Sequence, residues 1–221
     1  MATKIFGDLV VSGSVTAGAM TAAGGALTNS AISSTAAIAR SKLAQDDLQP
    51  YTIPLYDVRR HDAPTNPLTG TANSDDLGFI SITYGGAPFY ISAGDCKAAT
   101  ITRYGRILTT LPPEYVTGES VVIRVNAVMK TTIADTSAVI DVECYSSDKL
   151  GTLTSELCQT AAQDMNSLSA NEYDFTVNGA LPLYPGDPLD IRVTIAVVDA
   201  ATGTTVEPAI YSIEIKCDIK G

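Results

Sequence analysis

The sequence has no tryptophan and a single histidine, and only 17% of its residues are charged, below the ~25% usual in soluble domains. Each shortage excludes a class of chemistry. One histidine, His61 in "RRHDAP", leaves a Ser-His-Asp triad with one candidate base, and no G-x-S-x-G elbow accompanies it. His61 reads as a surface or interface residue of a loop. No CxxC and no Cys/His cluster occurs, so a zinc site is not expected. Basic residues form no patch: Arg59–Arg60 and Arg103–Arg106 stand apart in a chain of net charge −10. That balance repels phosphate backbones, so no nucleic-acid partner is expected. No run approaches the ~20 apolar residues of a membrane span, and no membrane partner is expected. The opening "MATKIFGDLVV" lacks a basic segment followed by an apolar one, so entry into a secretory route is not expected either.

Other absences concern sites. The pairs Asp46–Asp47 and Asp75–Asp76 lack the D-x-[DN]-x-[DN]-G spacing of a calcium loop. A loop cation site at Asp75–Asp76 is the one metal candidate, and a weaker reading than exposed acids. Gly24–Gly25 lead to Ala26 and not to a Gly-Lys-Ser/Thr phosphate cradle. Glu114, Glu119, Glu143, Glu156 and Asp141 supply carboxylates for glycosidase chemistry, but nothing singles out a pair. The expectation is a non-enzyme with no cofactor and no metal. The four cysteines, Cys96, Cys144, Cys158 and Cys217, are few for a chain of 221 residues and read as free thiols of a protein assembled in a cytoplasm.

What the chain does have is small and β-branched residues in two different arrangements. Residues 1–50 are dominated by Ala, Gly, Ser and Thr. Within them "KIFGDLVVSGSVTAGAM" places Ile5, Leu9, Val11 and Val15 among glycine and serine, as one or two short strands with glycine turns. Further on, Ile32, Ala36, Ala39 and Leu43 recur at spacings of four, three and four, as in a coiled-coil seam. About two heptads cannot hold alone. The segment is either a flexible linker with accidental periodicity or a narrow oligomeric stalk or arm. Pro50 ends any helix there.

Residues 51–221 carry strand signals separated by Gly, Pro, Asn and Asp turns. "FISITYGGAPFYIS" reads as two short strands across Gly85–Gly86. "VVIRVNAVMKTTIA", "SAVIDVECYSS", "NEYDFTVNG", "LDIRVTIAVVDA" and "PAIYSIEIKCDIKG" are clearer. In the last, Ile213, Ile215, Cys217 and Ile219 share one face and Glu214, Lys216, Asp218 and Lys220 the other, the pattern of a half-buried antiparallel strand. "GESVVIRV" (118–125) echoes "GDPLDIRV" (186–193), which suits a sandwich of two similar halves, although eight residues also match by chance. "TLTSELCQTAAQDMNSL" (152–168) is the single helix candidate of this region. The expected fold is all-β, a jelly-roll-like antiparallel β-sandwich with an extended N-terminal arm or stalk.

The stretch "FGDLVVSGSVTAGAMTAAGGALTNSAI" resembles the N-termini of tailed-bacteriophage fibre and head-decoration proteins, and "AIARSKLAQDDLQPYTIPLYDVR" resembles the junction into a trimeric β domain in phage structural proteins. "LPLYPGDPLDIRV" looks like a turn and strand of the small sandwich domains that project from capsids. The resemblance implies a homotrimeric capsid decoration (cement) or short head-fibre protein on the outer capsid surface of a virion, made in the host cytoplasm. Its partners would be the major capsid protein and itself. Residues 1–50 would anchor and residues 51–221 project. The interface residues would be Ile5, Phe6, Leu9, Val11, Val15, Ile32, Ala36, Ala39 and Leu43. Two other readings stand beside it. One is a tail-fibre or tail-spike component that binds a host surface glycan through exposed aromatics, for which Tyr84, Phe89 and Tyr90 are the candidates, though core packing explains them equally well. The other is an enzyme or a cellular surface protein.

Overall fold

Alternation of β-branched and polar residues dictates strands with one wet and one dry face, and the chain uses it to build two stacked sheets. The computed structural model describes residues 48–80, 89–146, 155–177, 182–200 and 203–219. All of them belong to a single compact unit, Gln45–Gly221. The strands are β1 (Gln49–Ile53), β2 (Gly78–Ile80), β3 (Tyr90–Ser92), β4 (Thr100–Thr110), β5 (Val121–Met129), β6 (Ser137–Ser146), β7 (Gln163–Asp164), β8 (Asn171–Val177), β9 (Pro188–Val198) and β10 (Pro208–Cys217). A 3-10 turn, Leu55–Asp57, follows β1. The boundary expected between residues 50 and 51 falls inside β1, where Pro50 lies opposite Lys216 of β10.

The registers show how the strands are wound. β6 pairs with β7, β5 with β8, β4 with β9 and β3 with β10, all antiparallel. These nested pairs form one long hairpin. Two further pairings, β5 with β10 and β6 with β9, roll that hairpin onto itself. The result is one sheet ordered β2-β3-β10-β5-β8, with β1 also beside β10, and a second ordered β4-β9-β6-β7. This is an antiparallel two-sheet sandwich of jelly-roll type, as the strand patterns lead one to expect.

One apolar core lies between the sheets. β5 contributes Val121, Ile123, Val125 and Ala127, β9 contributes Ile191, Val193, Ile195 and Val197, and Phe175 of β8 and Ile140 of β6 join them in a single cluster. The echoed octapeptides are the entries to β5 and β9, one in each sheet. Gly118 (φ +81°) and Gly186 (φ +76°) make the left-handed turns that open them. Each echoed arginine then points outward to an acid directly opposite. Arg124 donates to Asp174 (Nε–Oδ1 2.6 Å) and Arg192 pairs with Glu143. The echo therefore marks equivalent positions in facing sheets.

The helix expected over 152–168 is not there: among its described residues, 155–168, the one regular element is the two-residue strand β7. The local spacing is overridden because this segment's amides are used across the chain. Leu157 N donates to Cys144 O (2.8 Å), Gln159 N to Thr176 O (3.0 Å) and Met165 N to Ala138 O (2.9 Å). The segment closes the side of the sandwich between β6 and β8, which burying Leu157 and Met165 rewards.

All four cysteines are buried and free, as the sequence led us to expect. Burial pushes the Cys96 and Cys217 thiols up to about 11 and Cys144 higher still. The reactive species is the thiolate, so the native chain is expected to label little with a thiol reagent at pH 8. Four thiols should react once guanidinium unfolds it. Rapid native labelling of all four would contradict this burial.

Candidate functional site

The interface residues nominated from the sequence, Ile5, Phe6, Leu9, Val11, Val15, Ile32, Ala36, Ala39 and Leu43, lie outside the described residues, as does Tyr84. Of the aromatics proposed for glycan contact, Tyr90 is buried in a small satellite cluster and donates its hydroxyl to Glu207 (2.9 Å). Core packing accounts for it. Phe89 stays half exposed beside Phe79, with ring centroids 5.9 Å apart. Three of the five carboxylates considered for catalysis, Glu143, Glu156 and Asp141, make contacts within the fold, and Glu119 contributes through its backbone carbonyl. Glu143 pairs with Arg192, and Glu156 Oε1 accepts from Cys144 N at 2.8 Å. Asp141 Oδ1 accepts from Val142 N at 2.9 Å, and the Glu119 carbonyl accepts the Tyr115 hydroxyl at 2.6 Å.

The described surface that stands out is the free edge of β4. An edge strand presents unpaired N–H and C=O groups, and proteins cover or blunt it. β4 pairs with β9 on one side only. On the other, the loop between Val58 and Leu77 covers its middle. Arg59 and Arg106 exchange two backbone bonds (2.8 and 3.0 Å), Tyr104 N donates to Asp75 O (2.7 Å) and Leu77 N to Tyr104 O (2.9 Å). Gly105 permits the approach, because a Cβ there would lie 2.7 Å from Val58 Cγ1.

A buried carboxylate ties that loop down. Asp76, 3% exposed, accepts from Arg60 Nε (2.5 Å) on one oxygen and from His61 N (3.1 Å) on the other. The His61 ring lies between two acids, Nδ1 3.4 Å from Asp76 Oδ1 and Nε2 3.5 Å from Asp75 Oδ2. Its ring sits 4.7 Å from that of Tyr104, whose other neighbour is the Arg192 guanidinium at 4.9 Å. Arg106 donates from Nε to Asp190 (2.7 Å). His61, Asp75 and Asp76 are the described group whose donor atoms lie close enough to share a cation. Arg60 already supplies positive charge to Asp76, so the group serves the loop as it stands. The sequence flagged Asp75–Asp76 and His61 separately; their meeting with Arg60 and Tyr104 needed the fold.

Burial raises the Asp76 pKa, but the hydrogen bonds from Arg60 and His61 outweigh it and leave the carboxyl below its ordinary value. Arg124 lowers that of Asp174 in the same direction. A depressed folded-state pKa gives stability that is full above the unfolded value and is lost as pH falls through the folded one. Melting temperature is therefore expected to hold steady near neutrality and fall below about pH 4. Asp76→Asn should shallow that fall; an unchanged acid limb would place its origin elsewhere.

Beyond Arg106 the loop's backbone pairing with β4 stops among the described residues, and a groove of about 700 Å3 opens between β1 and β4 with Pro64 and Thr65 of the same loop in its lining. Tyr51–Pro54 form one wall and Ile107–Thr110 the other. The floor is core: Ile53, Ile107 and Ile215 are buried. Pro112, Pro113 and Glu114 bound it along with Asp57 and Arg59, and Leu108 stands 58% exposed on the β4 wall. No signal in the sequence marked this groove, because its walls are about fifty residues apart in the chain.

No family model matches this chain, and no curated protein matches it. Several solved structures resemble it at low identity. The CBM22-1 xylan-binding domain of Xyn10C from Paenibacillus barcinonensis aligns over 66% of this chain and 83% of its own at 11% identity, TM-score 0.37. The xylan-binding module CBM15 aligns over 79% and 99% at 9% identity, TM-score 0.40. A chain from the structure of infectious bursal disease virus, Gx strain, aligns over 78% and 33% at 13% identity, TM-score 0.36. Likenesses at these scores carry no argument about this chain.

Proposed function

We propose that this chain is a non-enzymatic structural protein of a virion, a homotrimeric decoration or short head-fibre protein bound to the outside of a phage capsid. The observation that carries the reading is a jelly-roll body whose apolar cluster, Ile53 to Cys217, is drawn from both of its own sheets. Among the described residues that cluster is complete across the two sheets, which supports a body built by residues from β1 onward and a lead-in that serves an assembly. In this reading residues 1–50 grip the major capsid protein and sister copies, and residues 51–221 project. Ordering such a segment costs roughly 1–2 kcal/mol per residue in backbone entropy. Three linked arms offset that cost, because the second and third bind at high effective concentration.

The test is truncation. A chain lacking residues 1–48 is expected to keep its β circular-dichroism signal, to run as a monomer in light scattering, and to lose binding to undecorated capsids. The full chain should scatter as a trimer. A full chain that is monomeric at micromolar concentration, or a truncated one that still decorates capsids, would refute the assignment.

A further inference from the structure

We propose that His61 Nε2 and Asp75 Oδ2 form a binding site for a divalent first-row transition cation, zinc by preference, with Asp76 positioning the imidazole. The bound ion clamps the two ends of the loop that covers β4. The site lies within that loop and does not depend on the virion reading above. Three observations carry it.

The first is an acceptor facing an acceptor. Both ring nitrogens of His61 meet carboxylate oxygens, Nδ1 at 3.4 Å from Asp76 Oδ1 and Nε2 at 3.5 Å from Asp75 Oδ2. A neutral imidazole has one N–H, and an ionised carboxylate only accepts. With the hydrogen on Nδ1, donated to Asp76, Nε2 turns its lone pair toward the lone pairs of Asp75. A cation between the two converts that repulsion into coordination. The spacing fits: two ligands at zinc's bond lengths and a tetrahedral angle lie about 3.3–3.5 Å apart.

The second is that the ring is held in place without the ion. Asp76 is buried and fixed by Arg60 Nε on Oδ2 and by His61 N on Oδ1. A carboxylate that accepts from one nitrogen of a histidine orients the other toward a metal. Tyr104 packs on the ring, with centroids 4.7 Å apart. The backbones on either side are paired to β4, Arg59 with Arg106 and Asp75 with Tyr104. Two ligands from opposite ends of the loop are thus brought together by the same edge strand.

The third is charge. Arg60 meets Asp76, and Asp62 and Asp75 also lie close enough to Arg60 to raise its pKa. Three carboxylates around one guanidinium leave negative charge over, and Asp75, its side chain 46% exposed, carries part of it where an ion can enter. The donor set selects the metal. Calcium takes six to eight oxygens, whereas an imidazole beside a carboxylate suits zinc, with water in the remaining positions.

His61 is the only histidine of the chain, so one imidazole signal reports the site. The full chain, prepared without a histidine tag and freed of metal with a chelator, is titrated with zinc chloride. Calorimetry is expected to show one ion per chain, and the ring 15N spectrum to move at Nε2 with Nδ1 still protonated. The melting temperature should rise with zinc concentration, as for any ligand of the folded state. Asp75→Asn, which keeps the backbone bond to Tyr104, should weaken binding about tenfold or more. Glu119→Gln, an exposed acid before β5, should leave it unchanged. Melting of both variants in chelator shows whether they fold. An imidazole spectrum indifferent to zinc would make the His61–Asp75 contact a plain ion pair and overturn the proposal, whatever the variants do. So would undiminished binding by folded His61→Gln, or equal competition by calcium, which would make the site one of oxygens alone. A shift confined to Nδ1 would reverse the role given to Asp76 and refute the assignment.

Discussion

Phe175→Ala is expected to destabilise the protein by about 3–5 kcal/mol, the range for truncating a fully buried aromatic. Phe175 is 0% exposed, sits opposite Ile123 in the β5–β8 ladder, and belongs to the cluster shared by both sheets. The cost has two parts: lost apolar transfer, and a cavity that β5 and the facing sheet cannot close, because their backbones are held in register by neighbours. For a body of this size each kcal/mol lowers the melting temperature by about 2–4 °C, so a fall on the order of 10 °C is expected. Glu172→Ala on the same strand is the control. Its side chain is 56% exposed and pairs with Arg124 at the surface, where such pairs contribute less than about 1 kcal/mol. Calorimetry of the two variants should separate them clearly. Equal melting temperatures would mean that the inter-sheet core is not where β8 gains its stability.

Gly78→Ala is expected to destabilise as well, for the opposite reason, too much matter in place of too little. A Cβ on Gly78 would lie 2.5 Å from the carbonyl carbon of Thr71 and 2.9 Å from the Cα of Ala72, closer than any real contact. Both are backbone atoms, so no rotamer change relieves the overlap, and the loop must move. Overpacking of this kind costs about 1–3 kcal/mol and sometimes more. The movement has a local signature. Gly78 begins β2, a three-residue edge strand, and its neighbour Phe79 donates to Thr69 O at 2.7 Å. Hydrogen exchange should therefore quicken at Phe79 and Ile80 before the rest of the sheet responds. A variant that melts like the parent, with Phe79 still protected, would show that the loop from Thr69 to Ala72 is not packed on β2 as described.

The two variants bear on different kinds of information. Phe175 was legible as a core residue: "NEYDFTV" alternates, and Tyr173, Phe175 and Val177 are buried while the residues between them are exposed. Gly78 carried no such signal. Its need for glycine arises because residues 71–72 cross over it, a contact that no periodicity records. The helix expected over 152–168 failed for a related reason. A spacing of apolar residues is a local property, but the backbone partners of Leu157, Gln159 and Met165 sit on β6 and β8. Asp76 shows the same limit at the site. Two adjacent aspartates are visible in the sequence, but their meeting with Arg60, His61 and Tyr104 is made by the fold.

Composition and alternation alone determined that the described residues are built of half-buried antiparallel strands and that the cysteines are free thiols. These follow from the sequence because the direction of a side chain along a strand depends only on its parity. The tertiary structure decided which strands meet. Rolling one long hairpin puts β5 beside β10 and β6 beside β9, pairings between segments that are far apart in the chain. It also decided that one edge of β4 is covered by Asp76 and its partners as far as Arg106 and left open past it. Edges, grooves and crossings are made where distant segments converge, and the entropy of closing the intervening chain is repaid only by the whole set of contacts, so no single stretch of sequence encodes them.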